Sequence, residues 1–411
     1  MRNGFPNIRH VRVFIEVART GSVSEAAARC HLSQPAATQA LSRLEADLGA
    51  QLLNRRQQPF SLTPCGAVFE SRAIAALHHL RGGARAAWRV AGMPGRRGAR
   101  FDHAVTAAQL RNLIAIANTG SFTVAARELG LSQPTVHRTA RSLEAMSGLP
   151  LFTVRATGVT LTPAAEAIVL GAKLAQSEIR QGAEEISREL GSDRGTFVLG
   201  SLPLARTSIV PKAIHALVSR TEDVQVRVVD GRYGELLRSL REGDIDCLIG
   251  ALRFPSPADD VKQDLLFRDA LAIVAHPDHP LAGRRGLTLE DALAFPWIAP
   301  PRATPAGQYL FETLRLQERN RTPVRAISSS LITLRGLLSE GPYISIVSHH
   351  QISVDESLGM IAALDIPLDG HIRDIGLTYR RDWRPTETQT QFIHFLQEYS
   401  AMHPGNVEQK S

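Results

Sequence analysis

The feature that most constrains this chain is an element that occurs twice. The stretch SVSEAAARCHLSQPAATQALSRLE at 22–45 returns as SFTVAARELGLSQPTVHRTARSLE at 121–144, 99 residues later. Residues 11–69 align with 110–168 without a gap, with identity at about a third of positions, so the chain carries two copies of one domain. The identities concentrate where backbone geometry is demanding: Thr20-Gly21-Ser22 with Thr119-Gly120-Ser121, Ser33-Gln34-Pro35 with Ser132-Gln133-Pro134, and Leu62-Thr63-Pro64 with Leu161-Thr162-Pro163. Each triplet reads as a helix boundary.

In the first copy, Ile8, Val11, Phe14, Ile15 and Ala18 recur at helical spacing and Gly21 ends that helix. Ser22 starts the next, and Glu25 three residues on predicts a capping box, which Val124 removes from the second copy. After a tight turn at His31-Leu32, Ser33 is the N-cap and Pro35 lies in the first turn of a third helix that runs to Gly49. Two short helices joined by a tight turn make a helix-turn-helix, whose second helix presents its N-terminal side chains to base edges in the major groove. Those side chains are Gln34, Ala36, Ala37 and Thr38 in copy one and Gln133, Thr135, Val136 and His137 in copy two, flanked by Ser33, Pro35, Ser132 and Pro134. Gln can pair with adenine in bidentate fashion, and an Ala or Thr methyl can pack on a thymine methyl. Arg43, Arg138 and Arg141 suit phosphates, which hold register without reading sequence. The following QLLNRRQQPFSLTP reads as a hairpin wing with Arg55 and Arg56 at its tip, matched by Arg155 in copy two. Thr63-Pro64 and Thr162-Pro163 then open long helices over roughly 64–90 and 163–190.

Charge follows the repeat. The 411 residues carry a net +7. Residues 1–191 hold 23 Arg plus Lys against 13 Asp plus Glu, and residues 192–411 hold 24 against 27. A basic front and a slightly acidic back fit a polyanion-binding module joined to one that does not bind polyanions. RGGARAAWRVAGMPGRRGARFDH at 81–103 reads as a flexible basic tether in which Arg96, Arg97 and Arg100 are solvated or touch phosphates. The long helices can pair within one chain or between chains. No long apolar run suggests a membrane span or secretory leader, so the expected location is the cytoplasm. Cys30, Cys65 and Cys247 match no zinc or disulfide pattern and read as small core residues. His78-His79, His349-His350 and the His276/His279 set read as surface histidines rather than a metal site, and no enzyme motif or cofactor fingerprint occurs, so neither metal, cofactor nor catalytic residue is expected.

From about 194 the pattern alternates apolar runs of strand length with amphipathic helices, which argues a mostly parallel sheet. Ligands in such sheets sit outside the carboxyl ends of strands. Four loops meet that description: Ser201-Leu202-Pro203, Gly231-Arg232-Tyr233, Arg302-Ala303-Thr304 and Ser328-Ser329-Ser330.

Taken together, T-G-S, A-A, L-S-Q-P, L-E and L-T-P, with L-L-N-R in copy one and L-F-T-V in copy two at the place of the family's L-F-x-R, make both copies similar to the DNA-binding domain of LysR-type transcriptional regulators. The resemblance implies a multidomain chain: two all-α winged helix-turn-helix domains followed by an α/β effector domain, similar to a periplasmic binding protein, of two subdomains with a cleft between them. Most members have one head. The expected divisions are 1–66 and 104–163 for the heads, 67–103 for the first linker helix and tether, 164–192 for the second linker helix, 193–402 for the effector domain and 403–411 for a flexible tail. The resemblance also implies a sequence-specific regulator with double-stranded DNA, itself (as a homodimer or homotetramer) and RNA polymerase as partners. Ser201, Leu202, Arg232, Thr304, Ser328 and Ser329 become its candidate contacts to a small polar or anionic effector. The other reading is a ligand-independent DNA-organising protein. The copies depart from the family pattern: copy one has Ala37 and Gln39 where Val and Arg are common, and copy two has His137 and Val154 where a small hydroxyl residue and the wing Arg are usual. Copy two therefore either reads DNA or only packs against copy one.

Overall fold

In the computed structural model, which describes residues 5–55, 59–93, 100–155, 158–318 and 323–401, each copy of the repeat folds into three helices and a hairpin. The first comprises α1 (Ile8–Thr20), α2 (Val23–Arg29), α3 (Gln34–Leu48), β1 (Leu53–Asn54) and β2 (Ser61–Leu62), followed by the long α4 (Pro64–Val90). After a short α5 (Phe101–Ala104), the second comprises α6 (Ala107–Thr119), α7 (Phe122–Leu129), α8 (Gln133–Ser147), β3 (Phe152–Arg155) and β4 (Gly158–Leu161), followed by α9 (Pro163–Glu189).

The three repeated triplets each join a helix end to the hairpin or to the next helix. Gly21 and Gly120 end α1 and α6 at φ of 65° and 62°, a conformation that glycine adopts without a Cβ penalty. Their carbonyls accept the N–H of Phe60 and Val159 at 2.9 and 2.8 Å, which ties each hairpin to the first helix. Ser33 and Ser132 cap α3 and α8. Thr63 and Thr162 cap α4 and α9 while their own hydroxyls donate to the carbonyls of Gln51 and Pro150 at 2.7 and 2.8 Å. The expected capping box at Ser22 is not formed. Ser22 accepts the Glu25 N–H, but the Glu25 carboxylate turns to Arg29 at 2.8 and 3.0 Å, where a full charge is the stronger partner. A box does open α6, between Thr106 and Gln109.

The chain divides into two compact units, the first holding residues 1–196 with the short segments Glu222–Gln225 and Glu242–Asp244. Within it α4 and α9 pair antiparallel: Arg72 lies against Glu178, Gln181 and Glu185, and Gly83, further along α4, lies against Ala167 and Gly171. Arg72 also touches Gly182. Adding 99 to one member of that pair and subtracting 99 from the other (72 + 99 = 171; 182 − 99 = 83) gives Gly171 and Gly83, which also touch. The two copies are therefore related by an internal pseudo-two-fold axis across the helix pair. Chemistry breaks the symmetry. At one end Arg72, 3% exposed, donates to Glu185 at 2.7 and 3.0 Å, to Glu178 at 3.2 Å and to Gln181 at 2.8 Å. Burial acts to lower its pKa, and the two carboxylates more than reverse this. At the other end a Cβ on Gly83 would stand 2.6 Å from the Ala167 carbonyl oxygen, and one on Gly171 2.6 Å from that of His79, so the helices meet backbone to backbone.

The tether expected over 81–103 is mostly not a tether. Residues up to Val90 belong to α4, and α5 docks back on it: Phe101 packs edge-on to Trp88 at 6.2 Å, and the buried Asp102 accepts from Arg81 at 2.8 Å with Arg12 at 3.9 Å. Of the basic residues assigned to it, Arg100 is exposed, whereas Arg96 and Arg97 lie outside the described residues. The tail at 403–411 lies outside them as well.

The second unit contains β5 (Thr196–Ser201), α10 (Ile209–Val218), β6 (Gln225–Val229), α11 (Tyr233–Glu242), β7 (Cys247–Ala251), β8 (Val261–Ala275), α12 (Leu289–Leu293), β9 (Trp297–Ala299), α13 (Pro305–Gln308), β10 (Val324–Ile327), α14 (Leu331–Glu340), β11 (Ile344–Ser348), α15 (His349–Ser357), β12 (Ala362–Ala363), β13 (Ile372–Arg380) and α16 (Glu387–Ala401). The strand order is β10-β9-β11-β8-β13-β7-β5-β6, with β12 on β8. β5 and β7 are parallel, as are β10, β9 and β11, so each half of the sheet holds a parallel group, and β13 runs antiparallel to β7. β8 links them, pairing antiparallel with β13 in one half and with β11 in the other. The closing helix α16 packs on the first half, Phe392 against Phe197 at 4.8 Å.

Replacing Arg72 by Ala leaves the buried Glu178 without its guanidinium, and breaking a buried pair costs about 3–5 kcal/mol. Urea unfolding of the full chain should show that loss in Arg72→Ala, while the exposed Arg85→Ala changes stability by less than about 0.5 kcal/mol. Equal midpoints for the two variants would show that the ion cluster does not hold the helices.

Candidate nucleic-acid interface and ligand cleft

The N-terminal turn of α3 presents Ser33, Gln34, Pro35, Thr38 and Gln39 to solvent, with Ala36 half-buried beside them. The turn of α8 presents Ser132, Gln133, Pro134, His137 and Arg138, with Thr135 half-buried. Ala37 and Val136 are not on these faces. Both are fully buried, because they lie on the stripe (Ala37, Ala40, Leu41, Leu44; Val136, Ala140, Leu143) that packs on the preceding helices. His137 is fixed by its edge contact with Phe122 at 5.2 Å, and the Thr135 hydroxyl by Ser132 at 2.9 Å. Arg43, Arg55, Arg141 and Arg155 are exposed; Arg56 lies outside the described residues.

Each hairpin is bolted to its recognition helix by one glutamate. Glu45 accepts the N–H of Leu52 at 2.9 Å, and Glu144 accepts those of Leu151 and Phe152 at 2.8 and 3.2 Å. This role was legible only as the repeated L-E. The arginine that neutralises the glutamate differs between copies. In copy one it is Arg55 of the wing, which also reaches Ser42; in copy two, where Val154 replaces the wing arginine, it is Arg141 of the helix, at the place equivalent to Ser42. The departure at Val154 is thus compensated locally, with the charge moved from wing to helix.

In the second unit, the candidate ligand residues fall into two groups, one per half of the sheet. Ser201 ends β5 fully buried, and the Leu202 N–H donates to the Ile249 carbonyl at 3.0 Å, leaving its side chain packed over Gly250. Arg232, exposed, precedes α11, with its N–H on Glu235 at 3.3 Å. In the other half Thr304 caps α13, and the Ser328 N–H donates to the Ala299 carbonyl at 3.0 Å. The cap of α14 is Ser330, rather than Ser328 or Ser329, and Ser329 is exposed. Thr207 and Arg253 escaped the sequence reading, and Tyr233 was placed in a candidate loop but not among the contacts. Thr207, Tyr233 and Arg253 follow the carboxyl ends of β5, β6 and β7, and each buries a polar atom without a protein partner: the Thr207 hydroxyl, the Tyr233 hydroxyl and the Arg253 Nε. The Arg253 guanidinium lies 4.8 Å from the Tyr233 ring centroid. Burial raises the pKa of Tyr233, and the smaller effect of Arg253 opposes it.

The cysteines are all buried, and burial raises each thiol pKa, Cys247 most. Of the histidines read as surface residues, His78 and His349 are exposed and His79 and His276 half-buried, but two depart from expectation. His279 and His350 are core residues at 5% and 4% exposure, in tilted ring contacts with Phe295 and Phe267 at 4.5 and 4.7 Å. Among the described residues no group of three or more His, Cys, Asp or Glu could hold a metal ion, and no helix is long and apolar enough to cross a membrane.

Two exposed recognition turns on a basic unit, joined to an α/β unit with polar loops at its strand ends, define a transcriptional regulator by class. Family models agree. The model described as bacterial regulatory helix-turn-helix protein, lysR family, matches residues 8–67 and again 107–166, and that of the LysR substrate binding domain matches 190–401. The chain is similar to the HTH-type transcriptional regulator GalR of Pseudomonas putida, 31% identical over 375 residues that cover 91% of this chain and 92% of that one. It is also similar to the regulator PcaQ of Agrobacterium fabrum, 27% identical over 69% of this chain and 92% of that one. Among solved structures, a full-length OxyR variant from Pseudomonas aeruginosa has a TM-score of 0.52 at 22% identity, covering 72% of this chain and 95% of that one. CbnR, described as a LysR family transcriptional regulator, has 0.50 at 21%, covering 71% and 98%. The chain belongs to the LysR family. It is a DNA-binding transcriptional regulator with a ligand-responsive domain, in a family of regulators rather than enzymes.

A hydrogen bond to a charged acceptor contributes about 1.5–3 kcal/mol, so removing the glutamate bolt should speed amide exchange at the hairpin base by roughly tenfold or more. Glu45→Ala is expected to accelerate Leu52, and Glu144→Ala to accelerate Leu151 and Phe152, in hydrogen exchange followed by NMR. Unchanged rates would mean that the strand pairing alone holds the wing.

Proposed function

We propose that both copies read DNA and that a small polar or anionic metabolite, bound between the halves of the C-terminal sheet, selects among conformations of the regulator. A ligand shifts such an equilibrium only through its differential affinity for the two states. The observation that carries the reading of DNA by copy two is that α8 keeps Ser132, Gln133 and Pro134 in an exposed first turn, as α3 keeps Ser33, Gln34 and Pro35. Arg43, Arg141 and Arg155 surround the two turns as phosphate contacts, Arg138, expected from the sequence as a fourth, stands exposed beside His137 within reach of base edges, and Arg55 and Arg56 serve the first wing. Tethering two modest readers makes the second contact intramolecular, which can raise avidity by roughly 10² to 10⁴ when the spacing fits. The chain works in the cytoplasm as a homodimer or homotetramer, so a dimer presents four heads, and RNA polymerase is the further partner through which it acts.

The ligand reading is supported by the three buried polar atoms on Thr207, Tyr233 and Arg253, since buried polar groups are ordinarily paired with protein, water or ligand. Ser201, Leu202, Arg232, Thr304, Ser328 and Ser329 complete the proposed contacts. The link that β8 makes between the two halves supports reading the domain as a binding-protein arrangement.

Two measurements test this. Footprinting on DNA selected from a random pool should lose protection over one half-site in Gln34→Ala and over another in Gln133→Ala, each by about 1–3 kcal/mol for a lost bidentate contact. If only Gln34→Ala matters, copy two is a packing partner. In a thermal-melt screen against small mono- and dicarboxylates, a true ligand gives a saturable rise, about 2.7 kcal/mol at a hundredfold excess over Kd, that Arg253→Ala abolishes. A rise that the variant keeps would move the ligand elsewhere.

A further inference from the structure

We infer that one chain forms the whole two-headed reading unit and that its target joins two unlike half-sites instead of an inverted repeat. This rests on the reading that both recognition helices contact DNA.

The first step is which helices can pair. On the register seen for α4 with α9, two α4 helices would set Arg72 against His79, Gly82 and Ala86, the residues equivalent to Glu178, Gln181 and Glu185 (178 − 99 = 79; 181 − 99 = 82; 185 − 99 = 86). A guanidinium that is 3% exposed would then be buried without a carboxylate. Two α9 helices would set Glu178 and Glu185 against Gly171, the equivalent of Arg72 (72 + 99 = 171), with no guanidinium for either acid. Of the three pairings, only the unlike one sets the guanidinium of Arg72 against both acids. The connection makes that pair a product of one chain: Asp102, at the entry to copy two, is held by Arg81 and Arg12 of copy one, and Phe101 is seated on Trp88.

The second step is what the pair presents. A two-fold protein reads an operator of matching two-fold symmetry; here the two-fold is only approximate, and the reading faces differ. Gln34 and Gln133 are equivalent and identical, but Ala36 stands for Thr135, Thr38 for His137, Gln39 for Arg138 and Ser42 for Arg141. Gln39 and Arg138 are both exposed, on the same face as Thr38 and His137. Arginine pairs with guanine O6 and N7 and glutamine with adenine N6 and N7. The two half-sites therefore share the base read by Gln34 and Gln133 and diverge beside it, with guanine favoured under copy two. Ala36, Thr38 and Gln39 against Thr135, His137 and Arg138 are the specificity-determining sets.

The experiment is selection from a random duplex pool with the full chain, alongside the triple variant Ala36→Thr/Thr38→His/Gln39→Arg. The wild type is expected to select an asymmetric site and to bind it about tenfold or more tighter than a duplex carrying either half-site as an inverted repeat. The variant is expected to select the inverted repeat of the copy-two half-site. Titration of the asymmetric duplex well above Kd should saturate at one chain per pair of half-sites. An inverted repeat selected by the wild type, an unchanged site selected by the variant, or saturation at two chains per pair overturns the inference while leaving DNA binding intact. Failure to enrich any sequence removes the DNA-reading proposal, and this one with it.

Discussion

The architecture of the N-terminal unit depends on the cost of burying one guanidinium. Taking Arg72 out of water costs several kcal/mol, offset only where carboxylates and further hydrogen bonds surround it, and Glu178, Glu185 and Gln181 supply them from the other copy. At the pseudo-equivalent place the same helix pair makes the opposite kind of contact, Gly83 on Gly171, where any side chain would strike backbone. A polar lock at one end and a steric one at the other give the pair a single register. The recognition helices inherit their spacing from that register, since each is joined through its hairpin and threonine cap to the start of a long helix.

Those joints are economical. Thr63 and Thr162 cap a helix with the same hydroxyl that fastens the preceding segment, and Gly21 and Gly120 both end a helix and receive the returning strand. Glu45 and Glu144 then fix the hairpin to the helix that reads DNA. A force on the wing is thus felt at the recognition helix through one carboxylate, whose neutralising arginine sits on the wing in one copy and on the helix in the other.

Helix ends in this chain were legible because caps are local: T-P marks the starts of both long helices at Pro64 and Pro163, and the ends fall at Val90 and Glu189. The exposed first turns of α3 and α8 were legible for the same reason. Helix phase is harder to read, so the sequence pattern puts Ala37 and Val136 on a face they do not occupy, although the apolar spacing to Leu44 and Leu143 carries the information. Contacts between residues a hundred positions apart left no local trace. The choice between pairing within and between chains turned on Arg72 and its acids, and Phe101 and Asp102, at the end of the apparent basic tether, proved to be docked on the first copy. In the second unit Ser330 rather than its neighbours proved to be the cap, and the buried places of His279 and His350 follow from strand and loop packing that residue type alone does not reveal.

The covalent joining of the two heads also changes how they can evolve. In a homodimer every substitution in the reading helix appears twice, so a change that suits one half-site is imposed on the other. Here Thr38 and His137, or Ser42 and Arg141, occupy equivalent places and have diverged separately. Each head is released from its twin's constraints, and a binding site can drift on one side while the other is held.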